Sequence, residues 1–105
     1  MAQDTLSRLE ATIAARRGAA PDTSYVARLL AGGTPLAARK LGEEAVELVI
    51  AALAEQEKIV PESADLLFHL MVLLAERGVP FADVLAELDR REGVSGIAEK
   101  AARGA

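Results

Sequence analysis

The sequence predicts an all-α protein, and three observations support that fold class. Hydrophobic residues make up 51% of the 105 residues but aromatic residues only 3%, and a composition rich in alanine, leucine and valine favours helices packed on helices. Nonpolar residues recur three and four positions apart rather than in alternation. Proline and glycine fall where the periodic stretches begin and end. A chain of this length forms one small domain, residues 1–105, around one core.

Five helices are predicted from capping residues, prolines and glycines. In chain order they span residues 4–17, 24–31, 35–56, 58–61 to 78, and 81–92. Thr34 before Pro35 is a typical start for the long third helix. Gly42 interrupts that helix at a cost of about 1 kcal/mol relative to alanine, which suggests close approach by a neighbouring helix or a ligand. We expect the tail, residues 94–103, to form a short frayed helix or to order on ligand binding.

The third predicted helix carries an acidic stripe. Because each helical residue advances by about 100°, Glu43, Glu44 and Glu47 fall within one narrow sector. Lys40 lies in the same sector. The other directions around this helix hold nonpolar residues, so the acids do not lie on an ordinary solvated face.

The fourth predicted helix carries a second acidic pair. Glu62 and Asp65 are three residues apart, and His69 follows four residues after Asp65, so the three share one face. This helix is also nonpolar nearly all round, which is typical of a buried helix. We therefore expect the acids of both helices to face inward, into the protein or into a partner chain. Buried carboxylates are costly unless they are paired or bind a metal, so a divalent cation is the simplest compensation.

Paired acids on two neighbouring helices predict an Mg²⁺ site, because Mg²⁺ prefers carboxylate, water and phosphate oxygens. The predicted ligands are Glu44, Glu47, Glu62 and Asp65. Glu43, beside them, is expected to orient or deprotonate a water molecule, and Lys40 to hold a phosphate or neutralise the cluster. These roles predict metal-assisted hydrolysis of a phosphoanhydride. The catalytic acids are then Glu43, Glu44 and Glu47.

Simpler interpretations of the same residues stay open at this point. The pattern E-E-x-x-E is most often a solvated helix face, although the second acidic pair and the missing solvated side favour a metal site. His69 fits a core residue whose hydrogen bonds are satisfied, or the hydrogen-bond partner of a metal ligand, more readily than a ligand itself. Ser24 and Tyr25 fit a helix cap and packing unless a ligand lies nearby.

Composition and charge narrow the classes of function. The absence of cysteine excludes disulfides and thiolate metal sites and fits a reducing cytoplasm. A net charge of −4 and a pI near 5.0 argue against general nucleic-acid binding. Neither a signal peptide nor a nonpolar run of the roughly 20 residues that a membrane span needs is predicted. The nonpolar surface of the two central antiparallel helices predicts a homodimer that completes a four-helix bundle.

Two levels of sequence motif resemble a known enzyme family. E-E-x-x-E followed by E-x-x-D is the signature of the all-α nucleoside-triphosphate pyrophosphohydrolase (MazG-type) superfamily. A narrower match covers about residues 5–100 and resembles phosphoribosyl-ATP pyrophosphatases, the enzymes of the second step of histidine biosynthesis. The segments that carry it include S-Y at 24–25, K-L-G at 40–42, A-D-L-L-F-H at 64–69, G-V at 78–79 and S-G at 95–96.

The resemblance implies a nucleotide substrate and a metal cofactor. The expected reaction is hydrolysis of phosphoribosyl-ATP to phosphoribosyl-AMP and pyrophosphate with Mg²⁺, with Glu43 as the helper for water or a further metal ligand. The substrate contacts expected from it are Lys40, Tyr25, Arg28 and His69. The chain departs from the family pattern at Phe68, Glu92 and Pro61, which lie beside the acids and bear on substrate contacts.

Two other functions stay open from sequence alone. The short superfamily signature by itself also fits a house-cleaning hydrolase of noncanonical or excess nucleotides. A non-catalytic helical interaction module belongs to a different class and predicts that substitution of the acids abolishes no activity.

Overall fold

The structure consists of helices packed around an α-helical hairpin. The computed structural model describes residues 2–93, together with Lys100 and Arg103. Within that part of the chain no strand is present, which confirms the all-α class. The helices are α1 (Ala2–Arg16), α2 (Tyr25–Ala31), α3 (Gly33–Ala54), α4 (Ile59–Glu76) and α5 (Phe81–Arg91), with a 3-10 helix at Gln56–Lys58. The prediction for the tail, residues 94–103, falls almost entirely outside the described residues.

Helices α3 and α4 form the hairpin and share the largest helix–helix contact. Only residues 55–58 connect them, so the chain reverses direction between the two helices. Ala37 and Ala51 on α3 are both buried, and such small side chains allow the helix axes to approach closely. Pro61 lies in the first turn of α4, where its missing N–H removes no intrahelical hydrogen bond.

The core lies at one end of this hairpin. Helices α1 and α2 pack against α4, and α2 also contacts α3. The buried cluster consists of Ile13, Leu29, Leu30, Ala37, Met71 and Val72. Burial of these side chains provides the main stabilisation, about 1.5 to 3 kcal/mol for each large nonpolar residue.

The opposite end of the hairpin exposes nonpolar side chains. Large hydrophobic residues there are between 43% and 83% exposed in the single chain. We call this set the open nonpolar face: Val46, Val49, Ile50, Leu53, Val60 and Leu67. Contiguous exposed nonpolar surface of this kind is typical of an interaction site. None of the described helices combines the length and the hydropathy needed to span a membrane.

Helix α3 begins two residues earlier than the sequence predicts. Gly33 has a φ of +72°, a left-handed conformation that lets the chain turn from α2 directly into α3. Thr34 consequently lies inside the helix, where its hydroxyl donates to Glu76 Oε1 at 3.5 Å instead of capping. The expected close approach at Gly42 is not met within the described chain, because a Cβ there would have no heavy atom within 4 Å.

The N-terminus of α5 is capped by a residue from α1. The N–H of Phe81 donates to Glu10 Oε2 at 2.8 Å, whereas the preceding Pro80 offers no side-chain cap. A carboxylate at this position also interacts favourably with the helix dipole. Glu10 therefore fixes α5 against the first helix.

We expect Glu10→Ala to lower the free energy of unfolding by about 1 kcal/mol, because an otherwise uncapped helix end loses its acceptor. Glu10→Gln keeps an acceptor oxygen and should lose less. Urea unfolding measures both, with Ser7→Ala, an exposed position on the same helix, as the control. Equal stability of Glu10→Ala and the wild type would contradict this role.

Candidate metal centre

Three carboxylates meet between α3 and α4. Oxygen atoms of Glu44, Glu62 and Asp65 all lie within 4.8 Å of one another, and we call these residues the acidic trio. Glu44 comes seven residues, or about two turns, after Ala37 and seven before Ala51, so it faces α4 as they do. The three-residue spacing of Glu62 and Asp65 directs both toward the same side of α4.

The trio is negatively charged without compensation. Partial burial raises the pKa of Glu62 above its ordinary value, and the charges of Asp65, Glu47 and Glu44 raise it further, while Lys58 opposes the shift. Among the described residues no ion pair or hydrogen bond is recorded for the carboxylates of the trio or of Glu47. By contrast, Glu55 is paired with Lys58 at 3.3 Å.

The donor set fits a divalent cation with oxygen ligands. In an octahedral Mg²⁺ shell with Mg–O distances of about 2.1 Å, two ligand oxygens lie about 3 to 4 Å apart. The oxygens of the trio lie within 4.8 Å of one another, close enough for the three side chains to reach one cation. Carboxylates alone favour hard cations such as Mg²⁺ over metals that select sulfur or imidazole.

The other predicted acids lie outside the trio. Glu47 is exposed, but its charge still acts on Glu62. Glu43 is exposed and paired with Lys40 at 3.3 Å and with Arg39 at 3.6 Å. The expectation that the acids face inward is therefore not met for Glu43, Glu47 and Asp65 in a single copy, because no described helix covers this end of the hairpin.

His69 is buried and hydrogen-bonded at both ring nitrogens. Its Nδ1 lies 2.8 Å from the backbone carbonyl oxygen of Asp65, and its Nε2 lies 3.1 Å from the hydroxyl of Tyr25. A carbonyl oxygen only accepts, so Nδ1 carries the hydrogen, and Nε2 of the neutral ring accepts from the Tyr25 hydroxyl. This geometry is that of a satisfied core residue next to a trio member, the first of the interpretations open from sequence.

Helix α2 brings further predicted residues to this region. Ser24 caps α2, and its Oγ accepts from the N–H of Ala27 at 3.2 Å. Tyr25 is 46% exposed although its hydroxyl is bonded to His69. Arg28 is exposed one turn further along α2, and no ion pair is recorded for its guanidinium among the described residues.

One residue and one ring contact of this region were not identified from the sequence. Arg39 pairs with Glu43, and its spacing of four residues on one helix is the signal that would have identified it. Phe68 stacks on Tyr25 with 6.1 Å between ring centroids. No sequence signal indicates this contact, because it depends on how α2 packs against α4.

The fold and this cluster define an all-α protein with a candidate site for a divalent cation, and comparison with known proteins specifies the family. Residues 6–92 match the family model described as phosphoribosyl-ATP pyrophosphohydrolase. A protein from Rhizorhabdus wittichii named phosphoribosyl-ATP pyrophosphatase is 73% identical over 100 residues, covering 94% of each chain. Proteins of the same name from Erythrobacter litoralis and Dinoroseobacter shibae are 67% and 60% identical, over 96% and 93% of this chain and 98% and 97% of their own.

The chain belongs to the phosphoribosyl-ATP pyrophosphohydrolase family. The resemblance predicted from the motifs is thereby confirmed, and with it the assignment to the hydrolases. The acidic trio supplies three of the five residues of the superfamily signature, and the other two, Glu43 and Glu47, lie beside it on α3.

Glu87 on α5 is the electrostatic opposite of Glu62. Hydrogen bonds from Arg90 and Arg91, at 2.7 and 2.9 Å, lower the pKa of Glu87 from 4.5 to about 2. Its ionised form is therefore favoured by the fold, whereas the ionised form of Glu62 is disfavoured.

We expect substitutions of these two glutamates to affect stability with opposite signs. Because the pKa of Glu62 is raised on folding, its ionised form destabilises the protein at pH 7 in EDTA. Glu62→Gln should therefore raise the free energy of unfolding, and the gain should disappear as the pH falls below 4.5. Glu87→Gln should lower the free energy of unfolding at pH 7, and this loss of stability should diminish as the pH falls from 4.5 toward 2.

Urea unfolding of both variants and the wild type over a pH series, without divalent cations, provides the measurement. Shifts of the same sign for the two variants at pH 7 would contradict the assignment of the charges.

Proposed function

We propose that this protein hydrolyses phosphoribosyl-ATP to phosphoribosyl-AMP and pyrophosphate, the second step of histidine biosynthesis, in the cytoplasm and with Mg²⁺. The observation that supports this most strongly is the near-full-length identity to relatives named phosphoribosyl-ATP pyrophosphatase. The unneutralised carboxylates of the acidic trio provide independent support, because hydrolysis of a polyphosphate needs a cation to offset its charge.

The residues that would hold the cation are Glu44, Glu62 and Asp65, with Glu47 as the fourth ligand. When bound, Mg²⁺ neutralises charge on the phosphate oxygens and lowers the pKa of water. With a cation bound, the trio would position the polyphosphate, because α3 and α4 bring the three carboxylates together before substrate arrives. Glu47 follows Glu44 by three residues on α3, so both carboxylates lie toward the same side of that helix.

The proton of the attacking water passes to Glu43. In the structure its carboxylate is paired with Lys40 and Arg39. Lys40 binds a phosphate oxygen of the substrate, and Glu43, released from that ion pair, accepts the proton. Arg28, exposed on α2, supplies a second positive group for the phosphate of the phosphoribosyl moiety.

The reaction is tested by incubating the protein with phosphoribosyl-ATP and Mg²⁺. We expect equimolar pyrophosphate and phosphoribosyl-AMP, and no single phosphate. Absence of product at micromolar enzyme rejects the proposal. Faster turnover of other nucleoside triphosphates would favour a house-cleaning hydrolase, and no turnover of any nucleotide would favour a helical interaction module.

Removal of single charges from the trio should separate activity from stability. We expect Glu44→Gln and Asp65→Asn to lower kcat/KM at least about 100-fold, because each removes a charged ligand at the reacting phosphates. In EDTA both should be at least as stable as the wild type, since like charges no longer repel. Pyrophosphate release and urea unfolding measure the two effects.

Glu57→Gln is the matched control, because Glu57 is an exposed acid at the turn of the same hairpin and outside the trio. Its activity should equal that of the wild type. Full activity of Glu44→Gln or Asp65→Asn would contradict the metal assignment.

We also propose a homodimer in which two α3–α4 hairpins form a four-helix bundle through the open nonpolar face. Gly42, Val46, Val49 and Leu53 are spaced by four, three and four residues along α3, the pattern of a helix–helix seam. Gly42 has open space around it in the single chain, which suits close approach of a partner helix. Exposed nonpolar residues at seam spacing support a second copy as the occupant.

Charged substitutions on this face should dissociate the dimer. We expect Val49→Glu and Leu53→Glu to be monomeric at micromolar concentration, because the interface would have to bury an unpaired carboxylate. Leu88→Glu is the control, since Leu88 is 56% exposed on α5 and outside the face. Sedimentation equilibrium gives the masses, and a monomeric wild type would refute the proposed assembly.

A further inference from the structure

Three rings meet where α2 packs on α4. Tyr25 and Phe68 are nearly parallel, with an interplanar angle of 17° and centroids 6.1 Å apart. His69 lies edge-on to both, at 6.0 Å from Tyr25 and 5.0 Å from Phe68. These distances and angles fall within the favourable range for aromatic pairs, so the three rings support one another.

Tyr25 combines a fixed orientation with exposure to solvent. Phe68 packs along one side of the ring, and the hydroxyl donates to His69, yet 46% of the residue remains exposed. An aromatic ring that is held rigidly while much of its surface is open provides a flat surface for another planar group at little entropic cost.

The rings lie one helical turn from the acidic trio. His69 Nδ1 donates to the backbone carbonyl of Asp65, whose carboxylate belongs to the trio. Phe68 and His69 follow Asp65 by three and four residues, about 4.5 to 6 Å along the helix axis. A nucleotide has the same arrangement, because one sugar separates its planar base from its phosphates.

We propose that Tyr25 and Phe68 form the surface on which the adenine ring of the substrate stacks, and that His69 is a positioning residue that acts through Tyr25. This inference rests on the proposed function and extends it by assigning the base. His69 is only 5% exposed, and both its ring nitrogens are used within the protein. It therefore affects the substrate by orienting the Tyr25 ring rather than by direct contact.

The chain contains a built-in probe for this contact, because Tyr25 is its only tyrosine and it has no tryptophan. We titrate the wild type with AMP and Mg²⁺ and, separately, with inorganic tripolyphosphate and Mg²⁺, and correct for absorption by the base. AMP should quench the Tyr25 emission saturably, whereas tripolyphosphate, which has no base, should not. Absence of quenching at saturating AMP overturns the stacking contact.

Substitutions test the same contact by kinetics. Tyr25→Leu should raise KM for phosphoribosyl-ATP about 5- to 150-fold, the range for loss of one base–aromatic stack, with kcat less affected. Phe68→Leu should raise KM less, because it removes only the ring that supports Tyr25. Phe81→Leu is the matched control, since Phe81 is the other phenylalanine and lies at the start of α5, and its KM should not change.

A double-mutant cycle tests the role of His69. Tyr25→Phe and His69→Phe each break the hydrogen bond between the two residues and keep an aromatic ring at the site, and His69→Phe also removes the bond to Asp65. The double variant should therefore raise KM no more than His69→Phe alone. Additive effects on KM would overturn the positioning role. If His69→Phe fails to fold, the emission of wild-type Tyr25 still decides whether the base stacks.

The outcomes separate this inference from the proposed function. Quenching by AMP without turnover of phosphoribosyl-ATP would refute the assigned reaction and retain the stacking surface. Turnover with unchanged KM in Tyr25→Leu would refute the stacking surface and retain the reaction. Emission that changes on dilution but not with AMP would place Tyr25 at an interface between copies and would overturn the inference.

Discussion

Unneutralised negative charge between two packed helices is the constraint on which the rest of this structure depends. Ala37 and Ala51 bring α3 close to α4, and Glu44 lies midway between them on the same side of the helix. The packing that joins the helices therefore also holds Glu44 against the carboxylates of α4. Partial burial raises the pKa of Glu62, and the neighbouring carboxylates raise it further. Such an arrangement is costly in isolation, and the cation proposed above would offset that cost.

The hairpin has two functionally different ends. Helices α1 and α2 cover one end with the hydrophobic core, and this end determines the stability of the single chain. The other end carries both the acidic trio and the open nonpolar face. Covering that face with a second copy would reduce access of water to the neighbouring carboxylates, and charges interact more strongly where water is excluded. Dimerisation and cation binding, as proposed, would then reinforce each other.

A short hydrogen-bonded path connects the core to the acidic trio. The hydroxyl of Tyr25 donates to His69, and His69 donates to the backbone of Asp65. A polar chain in which every group is hydrogen-bonded resists rearrangement, and here its central member, His69, is buried. The rings around it gain a fixed orientation, and residues from α2 become part of the region around the trio. The match to the family identifies the segments of the chain that form this region. The hydrogen bonds from Tyr25 to His69 and from His69 to Asp65 explain how those segments are held together.

The sequence by itself determined the all-α class, most helix ends and the grouping of acids on one face of each helix, because helical periodicity and capping are local properties. Its motifs also identified the family. Only the tertiary structure decided that Glu44 meets Asp65, since the packing of α3 on α4 sets which side of a narrow stripe faces the neighbour. The pairing of Glu43 with Arg39 and Lys40, by contrast, follows from their spacing on one helix. The hydrogen bond between Tyr25 and His69 likewise depends on contact between helices distant in the chain, which no local pattern specifies.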